Sequence, residues 1–306
     1  MSGTVLREVA AVRTSDGAVL HATADGPADA PVTVVLAHGW TLAQAAWDDV
    51  AVLLRPRVAA GELRVVRYDQ RGHGRSTWAP ADTAVTVDRL GEDLGDLLDR
   101  LAPEGPVVLG GHSMCGMTIM CLAAARPELF GGDRVRGAAL VSTSAGDLRG
   151  GPFARIRPGM LDAALAGAWF VEHVRALLPP HHPRHRKMVR DLLYGADATD
   201  AMVLAGAEIV HASTVRAFTT FLPALGDHDK HAELAALTRV PVEILVGDTD
   251  ALTPQRHSRA LAVALPDARL HVLPRTGHML TQERPREVAD ALGRLVGAAA
   301  GRPVPA

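Results

Sequence analysis

The hydrophobic residues of this chain form short continuous runs, separated by longer segments in which apolar positions recur with helical spacing. Continuous apolar runs are typical of strands that are buried on both faces of a sheet. Alternation of such strands with helices predicts a parallel sheet covered by helices on both sides. The predicted strands are 32–37, 63–69, 107–112 and 136–143, and the predicted helices are about 44–55, 86–101 and 114–126.

The pattern differs at the two ends of this alternating region. Residues 4–26 predict two antiparallel strands around the turn Ser15-Asp16-Gly17. After about Arg149 the strand-like runs stop until Leu237, and helical patterns fill the gap. These helices are predicted at about 159–178, 185–194 and 199–222, with breaks at Pro152, Pro158, Pro179, Pro180, Pro183 and Pro223.

Two further strands, 242–246 and 269–273, follow the helical insertion. The chain is therefore predicted to consist of a core in two parts, an insertion and a short tail. The predicted bounds are 1–148 for the first part of the α/β core, 149–237 for a helical cap, 238–297 for the second part of the core and 298–306 for a disordered tail.

The sequence Gly111-His112-Ser113-Met114-Cys115 joins the strand 107–112 to the helix 114–126. A serine at such a sharp turn has an exposed hydroxyl, and the first N–H groups of the following helix have no partner within the helix. An activated serine needs both features. A strand–helix joint can also carry a serine without any chemistry, so the interpretation depends on further motifs.

One such motif is His38-Gly39-Trp40, directly after the strand 32–37. The glycine lets the backbone turn and direct an N–H group toward the space beside the serine. The backbone N–H groups of Trp40 and Met114 are the predicted oxyanion-hole donors, and a simple tight turn is the alternative. In the loop Asp69–Ser76, we interpret Asp69 as a structural residue that holds the loop through hydrogen bonds.

The downstream part of the chain supplies an acid and a base. Asp248 and Asp250 follow the strand 242–246, and His278 follows the strand 269–273. With Ser113 they give the chain order Ser–Asp–His. His278 would accept the proton of Ser113, and Asp250 would hold the imidazole in the required tautomer. Asp248 is the alternative acid.

Together these motifs resemble those of the α/β-hydrolase superfamily, on the side that includes esterases, lactonases, cofactor-free haloperoxidases and carbon–carbon hydrolases. The resemblance spans about Val5 to Val296 and implies a mostly parallel central sheet flanked by helices, with a helical cap inserted after the sixth strand. Dehalogenases and epoxide hydrolases of this fold attack with a carboxylate, so Ser113 argues against both. Cys115 stands where the family usually has Gly; we favour a structural role for it over that of a nucleophile.

The function that this resemblance implies is hydrolysis of a carboxylic ester, lactone or thioester of a moderately sized apolar molecule through an acyl-enzyme. A perhydrolase, a cofactor-free haloperoxidase or a carbon–carbon hydrolase would use the same triad. A ligand-binding or non-hydrolytic cyclising protein is the alternative from another class. The substrate pocket is expected to include Trp40, Met114, Trp169, Phe170, Phe218, Phe221 and Met279. Packing between cap and core explains any one of these residues as well.

The composition of the chain mainly excludes other classes of protein. The chain has 306 residues, a formal net charge of −2 and two cysteines. Cys115 and Cys121 lie on the same predicted helix and face different directions, so a disulfide is not expected. No apolar run has the length of a signal peptide or a membrane span. We therefore expect a cytoplasmic protein that acts on a small molecule without metal or cofactor and binds neither nucleic acid nor membrane; its oligomeric state stays open.

Overall fold

An eight-stranded sheet forms the centre of the molecule. The structure is a computed structural model that describes residues 7–80, 85–150 and 179–301. The strand order is β1-β2-β4-β3-β5-β6-β7-β8; β1, β2 and β4 pair antiparallel, and all pairs from β4 through β3 to β8 are parallel. The bounds are β1 Arg7–Arg13, β2 Val19–Asp25, β3 Thr33–Ala37, β4 Arg64–Tyr68, β5 Val107–His112, β6 Val135–Val141, β7 Val242–Gly247 and β8 Arg269–Leu273.

Helices follow most of the strands, which confirms the predicted α/β class. None of the helices in the described ranges is long and apolar enough to cross a membrane. Their bounds are α1 Asp48–Ala59, α2 Val87–Leu101, α3 Met114–Ala125, α4 Pro183–Leu193, α5 Asp200–Ala212, α6 Val215–Asp227, α7 Gln255–Ala264, α8 Leu280–Glu283 and α9 Pro285–Ala299.

Two apolar layers cover the faces of the sheet, because successive strand residues point to opposite sides. In β3, Val35 packs with α2, α3 and α7 on one face. Val34 and Leu36 pack with α1 and α9 on the other. The parallel strands end at nearly the same level, since Ala37 pairs with both Tyr68 of β4 and Gly111 of β5. The residues that follow these strands therefore meet at one edge of the sheet.

The helices α4, α5 and α6 lie between β6 and β7, where the sequence predicts a helical insertion. The prediction of a single helix over 199–222 was wrong, because the chain breaks at Ser213 and Thr214. The Thr214 side chain accepts the Ala217 N–H at the start of α6. Pro223 lies inside α6 and does not end it, because buried packing of this helix outweighs one lost hydrogen bond. The predicted helix 159–178 lies outside the described residues.

The last helix also differs slightly from its prediction. It continues to Ala299, two residues into the segment 298–306 that was predicted as a tail. Packing accounts for this extension, because Val296 and Ala299 are buried against the α1 side of the core. The residues after Gly301 lie outside the described range.

A buried ion pair connects the loop after β4 to helix α2. The guanidinium of Arg71 is fully buried and donates to both carboxylate oxygens of Asp93, at 2.8 and 2.6 Å. It also donates to both oxygens of Asp16 in the β1–β2 turn, at 2.8 Å. The Asp69–Ser76 loop is thereby held against two other elements.

We predict that Asp93→Ala lowers the free energy of unfolding by about 3–5 kcal/mol, because it leaves the buried Arg71 charge with less compensation. Asp99→Ala is the matched control: Asp99 lies on the same helix and pairs with Arg126 at the surface, so its loss should cost less than about 1 kcal/mol. Urea unfolding monitored by circular dichroism measures both values. Equal, small losses would contradict a stabilising role for the buried pair.

Candidate active site

Ser113 occupies the turn between β5 and α3 in a strained backbone conformation. Its φ is +56° and its ψ is −120°, which few residues other than glycine adopt. The turn is tight, because a Cβ at Gly111 would lie 2.5 Å from the carbonyl oxygen of Cys115. The Ser113 N–H donates to the Val141 carbonyl at 2.8 Å. This is the strand–turn–helix geometry that the sequence predicts for a nucleophile.

The carbonyl of Ser113 is held from the neighbouring strand. The hydroxyl of Thr143, after β6, donates to the Ser113 oxygen at 2.8 Å, and the Gly116 N–H donates to the same oxygen at 2.9 Å. Ser142 has a φ of +46°, so the backbone before Thr143 is itself strained. A Cβ at Gly116 would lie 2.5 Å from the Thr143 side chain. Sequence reasoning missed Thr143, which no motif marks.

His278 and Asp250 form a buried pair. Nδ1 of His278 lies 2.9 and 3.0 Å from the two carboxylate oxygens of Asp250. Since an ionised carboxylate only accepts hydrogen bonds, Nδ1 carries the proton and Nε2 is available as a base. Thr253 donates to Asp250 through its N–H and its hydroxyl, each at 2.9 Å.

Electrostatics keep Asp250 ionised. Burial by itself would raise the pKa of this carboxyl, but the charge of His278 and the hydrogen bonds from His278 and Thr253 outweigh burial and lower the pKa to about 2. Asp248, the alternative acid, is exposed and accepts the Thr276 N–H at 3.2 Å. Of the two candidates, Asp250 is therefore the one bonded to His278.

His112 connects the turn at Ser113 to the loop that carries His278. Its Nε2 lies 2.8 Å from the His278 carbonyl oxygen and donates to it, and the two rings lie 4.9 Å apart. Burial and then the charge of His278 lower the pKa of His112 to about 3, so this ring stays neutral. The sequence marks His112 only as part of the turn. Its contact with the His278 backbone additionally joins the loops of the two residues.

The loop after β3 lies beside Ser113. A Cβ at Gly39 would lie 2.9 Å from the Cβ of Ser113, so this position has no room for a side chain. Nε2 of His73 accepts the Thr41 N–H at 3.2 Å, and Thr41 has a φ of +59°. These contacts hold the loop that contains Trp40 beside Ser113.

Asp69 supports the same region through hydrogen bonds. Its carboxylate accepts the N–H of Gln44 at 2.8 Å and the N–H of Arg75 at 3.0 Å. Gly74 has a φ of +51° and lies so close that a Cβ there would be 2.3 Å from the Asp69 carboxyl carbon. Asp69 thus organises its own loop, in agreement with its interpretation as a structural residue.

A cavity of about 550 Å³ lies over Ser113 and His278, and both residues line it. Of the predicted pocket residues, Trp40, Phe218 and Met279 also line it. The side chains of Met114 and Phe221 are instead buried in an apolar cluster with Met117 and Cys121, which corrects their assignment. Trp169 and Phe170 lie outside the described residues.

Helix α4 supplies much of the remaining wall, which sequence reasoning missed. The helical spacing of its apolar residues was visible, but the pattern does not tell a cavity wall from a packed core. Trp40, another lining residue, contacts helix α6: its Nε1 donates to the Ala217 carbonyl at 3.2 Å, and its ring lies 4.6 Å from that of Phe218. The α4 residues that line the cavity are His185, Met188, Val189, Leu192 and Leu193.

Cys115 is buried and takes no part in lining the cavity within the described ranges. Its Sγ lies 4.0 Å from the Tyr68 hydroxyl, and burial raises its pKa well above the usual range of a thiol. A thiol that stays protonated is a poor nucleophile. The geometry therefore favours the structural role of Cys115 as a small residue in the first turn of α3.

Comparison with known proteins agrees with this fold. Residues 34–291 match the model of the Alpha/beta hydrolase family, and the chain belongs to that family. It is 32% identical over 265 residues to "Putative carbamate hydrolase RutD" of Variovorax paradoxus, covering 85% of this chain and 89% of the relative. An esterase from Thermogutta terrifontis has a similar structure, with a TM-score of 0.74 and 22% identity over 96% of this chain and 99% of its own.

Other relatives are much longer proteins. The chain is 36% identical over 101 residues to "Probable oxidoreductase EphD" of Mycobacterium tuberculosis, a match that covers 33% of this chain. It spans 16% of the length of that relative. The comparison therefore establishes the family of this chain and leaves its substrate to chemical argument.

We predict that Thr143→Val slows the covalent reaction of Ser113 with a fluorophosphonate probe by about 10- to 100-fold, because displacement of a reacting group by about 1 Å costs rates of that order. Thr143→Ser keeps the hydroxyl and should react within a few-fold of the parent rate. Single-turnover labelling followed by mass spectrometry gives the rate constants. Equal rates for the Val and Ser variants would show that this hydrogen bond does not position the nucleophile.

Proposed function

We propose that this protein is a serine hydrolase in which Ser113, His278 and Asp250 form the catalytic triad. The observation that carries the proposal is that His278, bonded to the buried Asp250, lines the same cavity as Ser113, which lies at a strained strand–helix turn. Such a turn costs about 1–3 kcal/mol and persists where the surrounding structure requires it. Strained backbone of this kind is concentrated at active sites, which supports a chemical role for Ser113.

In the proposed reaction, Nε2 of His278 takes the Ser113 proton as the hydroxyl oxygen attacks a carbonyl carbon. The backbone N–H groups of Trp40 and Met114 stabilise the oxyanion that forms. His278 then protonates the leaving group, which leaves an acyl group on Ser113. A water molecule, deprotonated by His278, attacks that acyl group and releases the acid.

The cavity defines the proposed substrate class. Its volume of about 550 Å³ lies within the usual range for small-molecule sites, about 300–1,000 Å³. Most of its described lining is aliphatic or aromatic, with Met188, Leu192 and Phe218 near the surface. A carboxylic ester, lactone or thioester with an apolar body fits such walls. The names of an esterase and a carbamate hydrolase among similar proteins support acyl transfer to water.

The direct test is detection of the acyl-enzyme. A panel of aryl and alkyl esters, lactones and thioesters is mixed with the protein, quenched in acid and analysed by mass spectrometry. We expect an added acyl mass on the peptide that contains Ser113. A ligand-binding protein of this fold would carry no adduct with any member of the panel and would not react with fluorophosphonates, and that result would overturn the proposal.

We predict that Ser113→Ala, His278→Ala and Asp250→Asn each abolish turnover of a p-nitrophenyl ester, with losses of about 10⁴-fold or more that do not add in combination. Asp248→Asn is the control, because Asp248 is exposed and bonds the Thr276 backbone instead. The Asp248→Asn variant should keep its turnover rate within a few-fold of the parent rate. Loss in Asp248→Asn with retention in Asp250→Asn would reverse the assignment of the acid.

We also predict a rate that rises with pH to a plateau, because only a neutral imidazole can accept the Ser113 proton. From mildly acidic to neutral pH, Asp250, with its pKa lowered to about 2, stays ionised, and His112, with its pKa lowered to about 3, stays neutral. Neither group therefore adds a second step. Initial rates in constant-ionic-strength buffers test this, and a rate independent of pH would contradict His278 as the base.

A further inference from the structure

The loop that carries His278 is bonded to the end of helix α4. The carbonyl oxygen of Leu193, the last residue of α4, accepts the N–H of His278 at 2.7 Å and the N–H of Met279 at 3.1 Å. Backbone atoms on both sides make these contacts. The position of the His278 main chain is thus set in part by an element of the cap.

Glu283 also bonds both the segment after α4 and the loop that carries His278. It ends helix α8, its side chain is buried, and one carboxylate oxygen accepts the Gly195 N–H at 2.7 Å. The Gly277 N–H, directly before His278, lies 3.0 and 3.2 Å from the two oxygens. The neighbouring Arg284 guanidinium bonds Asp197. Backbone N–H groups are therefore the bonded donors that stabilise this buried carboxylate.

The two segments approach closely enough to exclude side chains. A Cβ at Gly195 would lie 2.3 Å from the Arg275 carbonyl oxygen. A Cβ at Gly277 would lie 2.5 Å from the Tyr194 carbonyl carbon. Any other residue at either position would push the segment after α4 away from the base loop.

Helix α4 is also a wall of the cavity, through Met188, Val189 and Leu192. Helix α4 therefore lines the cavity along its length and bonds the His278 backbone at its end. A shift of α4 relative to the core would move both the cavity wall and the His278 backbone.

We propose that Glu283 is a positioning residue that holds the His278 loop against the end of α4, so that the base is aligned only while the cap is seated there. This inference rests on the proposed hydrolase function. The need for a carboxylate follows from its donors: a glutamine has one acceptor oxygen, and its NH₂ group would oppose the N–H of Gly277 or Gly195. Charge-assisted bonds to N–H groups are also the stronger ones.

The experiment compares Glu283→Gln with Glu287→Gln, an exposed glutamate four residues further along the chain. Values of kcat and KM are measured with p-nitrophenyl acetate and p-nitrophenyl octanoate. We expect Glu283→Gln to lower kcat by about 10- to 100-fold for both esters with little change in KM, since misplacing the base by about 1 Å has costs of that order. Glu287→Gln should match the parent protein.

Hydrogen exchange gives an independent readout. In Glu283→Gln, the peptides that contain Gly195 and Gly277 should exchange their amide protons faster, while the peptides of β5 and β6 stay unchanged. Gly195→Ala supplies a second variant, because it separates the two segments without altering the carboxylate. It should lower kcat in the same way.

The outcomes separate this inference from the proposed function. If Ser113→Ala loses activity while Glu283→Gln and Gly195→Ala keep the parent kcat, the positioning role is wrong and the hydrolase function stands. A rise in KM for the octanoate ester alone, with kcat unchanged for both esters, would assign Glu283 to the shape of the pocket and overturn its role toward the base. If Ser113→Ala keeps full activity, the proposed function itself fails.

Discussion

The strained backbone at Ser113 is the feature on which the rest of the site depends. A residue with φ of +56° is stable here because the neighbouring strand provides partners for its N–H and its carbonyl, from Val141 and Thr143. Those partners are in place because β5 and β6 pair in parallel without a register shift from Val108 to His112, which lies opposite Val141. The central sheet thus holds the turn at Ser113 at the edge where its parallel strands end.

Short contacts between loops hold the remaining parts of the site around Ser113. His112 reaches the His278 backbone, and Gly39 has no side chain where its loop meets Ser113. Buried neutral histidines make several of these contacts. His73, whose pKa is lowered to about 3 by burial first and then by His38, accepts a backbone N–H near Trp40 as a neutral ring. Such rings supply directional hydrogen bonds without adding charge beside the base.

The sequence indicates the parts of this arrangement that depend on local chemistry. Ser113, His278 and the strand ends could be located because each needs particular residues at a turn, and the structure places them at one cavity. The wall of that cavity could be located only in part, through Trp40, Phe218 and Met279. Met114 and Phe221 face the core and Met188 faces the cavity, and the rotation of a helix about its axis is set by tertiary packing.

Contacts between side chains and backbone groups could not be predicted from the sequence either. Glu283 accepts hydrogen bonds from the N–H groups of Gly195 and Gly277, and any residue except proline offers such a donor, so no sequence pattern marks the pairing. The break at Thr214 was missed for a related reason. A capping threonine is a weak local signal, whereas Pro223, a strong one, is tolerated within α6 because the helix is held by its buried face.

The contact between Leu193 and the His278 loop has a consequence for how this protein can change over evolutionary time. It is made by a main-chain carbonyl, so it does not depend on which side chains α4 carries. Substitutions at Met188 or Leu192 can therefore enlarge, narrow or reshape the cavity without removing the hydrogen bonds between the Leu193 carbonyl and the His278 loop. Selection for a new substrate can act on these side chains, whereas Gly195 and Gly277 do not line the described cavity and have no room for a side chain.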